Sequence, residues 1–288
     1  MSRKHPIIAV TSSSGSNVEP VMTAFSHLWW REKVNAAVVQ GEGFHRYDRL
    51  EMKQIVDASR KAGRVTTHYG PDGNLLERLE STLREYGDKG TGEHRKYLHC
   101  LVEALPYNQK PGTFTPWEPF PEDSDLLFYH GLHGGFASPE IDIAQHVDLL
   151  IGVTPTVNLE WIQKINRDCK DRGYSREAVI DSIMDRMNDY VNYITPQFSR
   201  TFMNFQRISV VDTSNPFIAR DAPNLDESFM VVRFRYPKKI DFPYLLTMIR
   251  DSFMSRPNTL VFPAGKTMHA MELILLPLLH DLMLKKSL

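Results

Sequence analysis

Apolar residues fall along this chain in short unbroken runs set between longer stretches with helical spacing. Residues 6–11 (PIIAVT) read as a buried first strand, and 21–31 as a helix behind it. A second apolar run, 34–40, ends in Gln40-Gly41-Glu42-Gly43 and predicts a strand feeding a loop. Residues 46–62 are polar with helical spacing, and 66–94 read as a mix of helix and excursion loop. The proline-rich stretch 108–124 reads as an ordered surface loop leading into a strand. The runs 126–129 and 149–153 predict two further buried strands, 158–172 and 175–193 two helices, and 209–212, 229–235 and 259–262 later strands. A last helix is expected over about 266–285, kinked or interrupted at Pro277. Unbroken apolar strands alternating with helices predict an α/β chain with a mainly parallel sheet covered on both faces. With no internal repeat or low-complexity tract, residues 1–288 read as one domain.

The loop between the first strand and first helix, Ser12-Ser13-Ser14-Gly15-Ser16-Asn17-Val18-Glu19-Pro20, stands where a strand–loop–helix unit cradles phosphate. Such a loop needs glycines, backbone N–H donors and a hydroxyl where the helix starts. Here only Gly15 remains, and Glu19 and Pro20 take the hydroxyl positions. A carboxylate about 4 Å from a phosphate charge costs roughly 4 kcal/mol at an effective dielectric of about 20. Pro20 removes a donor, though the first turn of a helix tolerates it.

Composition narrows the picture little. A net charge of −1 offers no overall basic field for nucleic acid. The two cysteines, Cys100 and Cys169, match no zinc or redox spacing and read as reduced thiols. The amino terminus lacks the apolar core of a signal peptide, and 273–279 is too short an apolar stretch to span a bilayer. A cytoplasmic protein with no membrane and no nucleic-acid partner is therefore expected. His130 and His133, two apart in a glycine-rich loop, carry no metal site in this reading.

The segments FHRYDR (44–49), HRKYLH (94–99), LLFYHGLHGG (126–135), NLEWIQKINRDCKDRGYS (158–175), PQFSRTFMNFQR (196–207) and VDTSNPF (211–217) give the chain, along nearly its whole length, a resemblance to the bacterial phosphoribulokinase family. The resemblance implies a P-loop kinase fold like that of the nucleoside monophosphate kinases, a mixed sheet with helices on both faces. It implies transfer of the γ-phosphoryl group of MgATP to the 1-hydroxyl of ribulose 5-phosphate. It places His45, Arg49, Lys53, Tyr97, His99, Arg167, Arg172 and Arg186 at the sugar phosphate, and Glu42, Lys164 and Asp168 at the chemistry. Independently, Lys164, Asp168 and Arg172 are four apart and share a helix face, an arrangement suited to a phosphate and hydroxyls. The resemblance also implies an oligomer with an NADH effector site built from Arg31, Arg233 and Arg256.

Departures from the family concentrate on the nucleotide side. Two loop glycines and the helix-start hydroxyls are missing across Ser12 to Pro20. Glu42 stands where the family has an aspartate base, one methylene shorter. His130 stands where it has a metal-side glutamate, and neutral imidazole is a poor ligand for Mg²⁺. Val102 stands where relatives often carry an acid. The expectation is a catalytically impaired or dead homologue with doubtful MgATP binding. It would keep a sugar-phosphate pocket and an NADH site, as a homo-oligomer or assembled with an active relative. The alternatives are an active but slow phosphoribulokinase with Glu42 as base, and an engineered or inactivated variant of an active kinase.

Overall fold

The computed structural model describes residues 4–286 apart from 17, 155 and 220. In chain order its strands are β1 Ile7–Ser12, β2 Ala36–Gln40, β3 Glu93–His94, β4 Glu118–Pro119, β5 Leu126–Gly131, β6 Leu149–Val153, β7 Met203–Ser209, β8 Ser228–Phe234, β9 Phe253–Arg256 and β10 Thr259–Pro263. The helices are α1 Glu19–Glu32, α2 Arg49–Lys61, α3 Leu76–Lys89, the single turn α4 Leu101–Ala104, α5 Val157–Arg172, α6 Arg176–Asp185, the turn α7 Met187–Asp189, α8 Phe242–Met248 and α9 Thr267–Lys286.

Among the described residues, eight strands form one sheet in the order β2-β5-β1-β6-β7-β8-β10-β9, and β3 and β4 pair apart from it. The first five are mutually parallel. The last three attach antiparallel, which gives the mostly parallel, mixed sheet that the resemblance implies. Every residue of β1 is buried, because helices cover both faces there. On one face Ile8, Val10, Phe128 and Ile151 pack with Phe25 and Leu28 of α1 and Ile274 and Leu275 of α9. On the other, Ile7, Ala9, Val39 and Tyr129 pack with Leu79 and Leu83 of α3.

Several boundaries differ from expectation. The strand expected at 209–212 is β7, six residues earlier. Its buried Met203 and Phe205 alternate with polar Asn204 and Gln206, a two-faced pattern that carries no apolar run. The expected helix 175–193 breaks into α6, α7 and a wide turn over Tyr190–Ile194. Of the kink or interruption expected at Pro277, the interruption is absent, since α9 runs through it. Within the helical stretch Ala264–Lys286 an 18-residue window reaches a mean hydropathy of 1.3, long and apolar enough by composition alone to cross a membrane, a test that a core helix also passes. Ala270, Met271, Ile274, Leu275 and Leu279 form its buried stripe in the core shared with α1.

Candidate functional site

The parallel strands β1, β2, β5 and β6 end on one rim, where open α/β sheets place ligands. The ends of β2 and β5 converge so closely that only glycine fits. A Cβ on Gly131 would lie 2.8 Å from the Cα of Gly41 and 2.6 Å from the Tyr129 hydroxyl. This contact fixes the turn Gly41–Phe44, which carries Glu42 onto the rim.

Glu42 Oε2 lies 2.7 Å from His99 Nε2. Burial pushes the Glu42 carboxyl up, but the His99 hydrogen bond and the fields of His99, His45 and His130 outweigh it and leave it below its ordinary value. His99 is fixed in turn: its N–H donates to Glu103, its carbonyl accepts from Arg49 at 2.8 Å, and Tyr97 meets its ring edge-on at 4.8 Å. Arg49 opens α2, whose start is set by an Asp48–Glu51 capping box. Lys53, one turn on, is exposed on the same helix. His45 is buried beside them, its Nδ1 2.8 Å from Asn74 Oδ1. His130, at the end of β5, is pulled down by burial, with Glu42 opposing. His133 bonds the Tyr69 carbonyl at 3.0 Å and is pulled down to about 4 by burial, a core role.

Helix α5 supplies the second wall. Asp168 is buried, accepts from Lys164 Nζ at 2.5 Å and Arg167 Nε at 2.9 Å, and forms an ion pair with Arg172 Nη1 at 3.2 Å. A solvated ion-pair face is thereby excluded, because Lys164 and Asp168 are only 5 % and 4 % exposed. Arg186 reaches in from the end of α6 over the Tyr69 ring. Burial first, then Arg186, pulls the Lys164 ammonium down to about 8, with Asp168 opposing.

That shift sets a pH dependence. A lysine in the unfolded chain titrates near about 10.4. Between about pH 8 and about pH 10.4 the unfolded state therefore binds more protons at this residue, and stability rises with pH. Below that window the cost of the buried charge is fully present. Urea midpoints measured across it are expected to rise in the wild type relative to Lys164→Met, which lacks the titrating group.

The loop after β1 is closed on its own chain. Ser12 ends β1, buried. The Ser13 N–H donates to Ser16 Oγ at 3.0 Å, the Ser14 N–H points to the Tyr69 hydroxyl at 3.4 Å, and the Gly15 N–H donates to Glu160 Oε1 at 3.2 Å. Arg167 donates to the Ser14 carbonyl at 2.8 Å. Asn17 lies outside the described residues. Glu160 is buried; desolvation raises its carboxyl, opposed by bonds that include the Gly15 N–H and the Tyr190 hydroxyl. Val18 leads into α1 without a side-chain cap, and Pro20 sits in its first turn. Beside the loop opens a cavity of about 340 Å³, lined by Ser16, Glu19 and Glu160 and by apolar groups such as Leu159, Phe205 and Met271.

Of the three arginines expected at an effector site, two lie opposite the same residue of β10 and the third lies on α1. Arg233 and Arg256 flank Thr259 on neighbouring strands, sharing a face of the sheet. Arg31 lies on α1, paired with Glu32 at 3.0 Å and Glu272 at 3.7 Å. Val102 is exposed on α4. Residues missed by sequence reasoning include Glu160, Tyr69 and Asn74. Glu160 had a signal: it continues the four-residue spacing of Lys164, Asp168 and Arg172 by one turn.

Comparison with known proteins is consistent along the chain. Residues 7–214 match the family model described as Phosphoribulokinase / Uridine kinase family. The chain is 56% identical over 283 residues to a protein of Escherichia coli (strain K12) named probable phosphoribulokinase, covering 98% of each. It is 55% identical over 288 residues to the plasmid phosphoribulokinase of Cupriavidus necator, covering 100% of this chain and 99% of that one. The solved structure of phosphoribulokinase from Rhodobacter spheroides superposes with a TM-score of 0.90 at 49% identity, covering 99% of both chains.

Proposed function

The chain belongs to the phosphoribulokinase and uridine kinase family, and from that premise we propose that it is a slow kinase that passes the γ-phosphoryl group of ATP to the 1-hydroxyl of ribulose 5-phosphate. The observation that carries this reading is the Glu42–His99 pair at 2.7 Å, set at the rim among Arg49, Tyr97 and His45. In it Glu42 takes the proton of the attacking hydroxyl, and His99 orients the carboxylate. Arg49, Lys53, Arg172 and Arg186 hold the sugar phosphate, with arginine forks matching its oxygens. Lys164, Arg167 and Asp168 line the path between the loop and the sugar. The resemblance to named phosphoribulokinases over essentially the full chain favours this active reading. The donor set fits Mg²⁺ poorly: a neutral imidazole, His130, replaces the family's carboxylate. No step is therefore assigned to the metal, and a low rate is expected.

A second reading is a non-catalytic sugar-phosphate binder. It would carry an NADH site on Arg31, Arg233 and Arg256 and act in a homo-oligomer or beside an active relative. It is favoured by one observation, the engagement of the Ser13, Ser14 and Gly15 N–H groups by the chain's own side chains. Calorimetric titration with MgATP and with ribulose 5-phosphate, followed by detection of the bisphosphate product, separates the two. The kinase reading expects both ligands to bind and product to form. Sugar-phosphate binding without MgATP binding supports the second reading, and no sugar-phosphate binding defeats both.

A further inference from the structure

The side-chain amide of Asn74 determines which nitrogen of His45 carries a proton. Asn74 Nδ2 donates to the carbonyl oxygens of His68 at 2.9 Å and Gly70 at 2.7 Å. Carbonyl oxygens only accept, so both amide N–H groups must point to them. The remaining atom, Asn74 Oδ1, then faces His45 Nδ1 at 2.8 Å, and that ring nitrogen must donate. Turning the amide over would set its oxygen against two carbonyl oxygens. In the neutral ring, with the hydrogen on Nδ1, Nε2 holds a lone pair and can only accept.

The ring is also held in place. His68 stacks on it with centroids 3.9 Å apart, and Tyr97 meets it edge-on at 6.2 Å. Its backbone is tied down as well: Arg95 donates to the carbonyls of Gly43 and His45, both at 2.7 Å, and residues 45 and 74 pair as an antiparallel bridge. Asn74 is 1 % exposed, so water does not compete for its amide. Nε2 bonds no group among the described residues and is not sealed from solvent. Burial first, with His99 and Arg186 nearby, lowers the His45 imidazole, against the Asn74 bond and Glu42, which favours the neutral ring.

We propose that Asn74 fixes His45 as a hydrogen-bond acceptor at Nε2, so that His45 reads a hydroxyl of the bound sugar and not its phosphate. The inference rests on the sugar-phosphate reading of this cleft. A dianionic phosphate offers only acceptor oxygens and has nothing to give a bare Nε2, whereas a hydroxyl has a proton to donate. Asn74 is thus a positioning residue that acts through His45, and the basic residues Arg49, Lys53, Arg172 and Arg186 are left to the phosphate.

The test is nitrogen-15 NMR of the histidine rings in the full chain, with His45 assigned by comparison with His45→Gln. The unliganded protein is expected to show His45 protonated on Nδ1 and bare on Nε2. Ribulose 5-phosphate is expected to shift Nε2 while leaving it unprotonated, and inorganic phosphate to leave it unmoved. Asn74→Leu is expected to lose the single tautomer and weaken ribulose 5-phosphate binding about 10-fold, the loss of one hydrogen bond. A proton on Nε2 in the unliganded wild type overturns this inference alone, whether or not the variant folds. So does sugar-phosphate binding seen by calorimetry with no shift at Nε2. Absence of all sugar-phosphate binding overturns the inference together with the proposed function.

Discussion

Glu42→Gln is expected to lower the rate of ribulose 5-phosphate phosphorylation by about 10²–10⁴-fold while leaving sugar-phosphate affinity nearly unchanged. The glutamine amide keeps the volume of the side chain and can still bond His99, so the 2.7 Å contact survives in some form. What is lost is the ability to accept a proton. The carboxyl lies below its ordinary value because the His99 bond and neighbouring histidines outweigh burial. It is therefore ionised throughout the neutral range, and wild-type activity is expected to fall only as acid protonates it, at a pH below the usual glutamate range. Initial rates with the bisphosphate product measured directly, beside calorimetry on the same variant, check both halves. Equal rates for Glu42→Gln and wild type would remove Glu42 from the chemistry.

The centre of the sheet was legible because β1, β5 and β6 are buried on both faces and so read as unbroken apolar runs. The distal part was not. In β7 polar residues alternate with core residues, and in the edge strand β9 Phe253 and Arg256 are exposed, leaving no apolar run to read. A similar division holds at the site. Lys164, Asp168 and Arg172 follow one helix face, and their spacing foretold their contact. The spacing did not foretell their burial, which depends on Tyr69, Arg186 and the loop after β1 closing over them. The Gly15–Glu160 bond joins residues 145 positions apart, and the Asn74–His45 bond residues 29 apart. Neither bond is marked by a spacing along the chain, although Glu160 itself falls on the helix face of Lys164. Both depend on which loops the sheet order brings to one rim.

Glu19→Ser, Pro20→Thr and His130→Glu in one chain are expected to raise ATP-dependent turnover by about 100-fold or more. Glu19 opens α1 where a phosphate would use the helix start. At about 4 Å and an effective dielectric of about 20, removing one like-charge contact is worth roughly 4 kcal/mol. That corresponds to about three powers of ten in affinity, so even a partly screened contact meets the expectation. Threonine at position 20 returns a backbone donor, and glutamate at position 130 returns a hard oxygen toward Mg²⁺. The triple change leaves untouched the bonds from the Gly15 N–H to Glu160 and from Arg167 to the Ser14 carbonyl. Two causes of weak nucleotide handling are thereby separated. If turnover and MgATP affinity rise together, the substituted side chains were the obstacle, and the loop opens once a phosphate is welcome. If a folded triple variant gains neither, the obstacle is the loop's closure on Glu160. The slow-kinase reading then gives way to that of a sugar-phosphate binder.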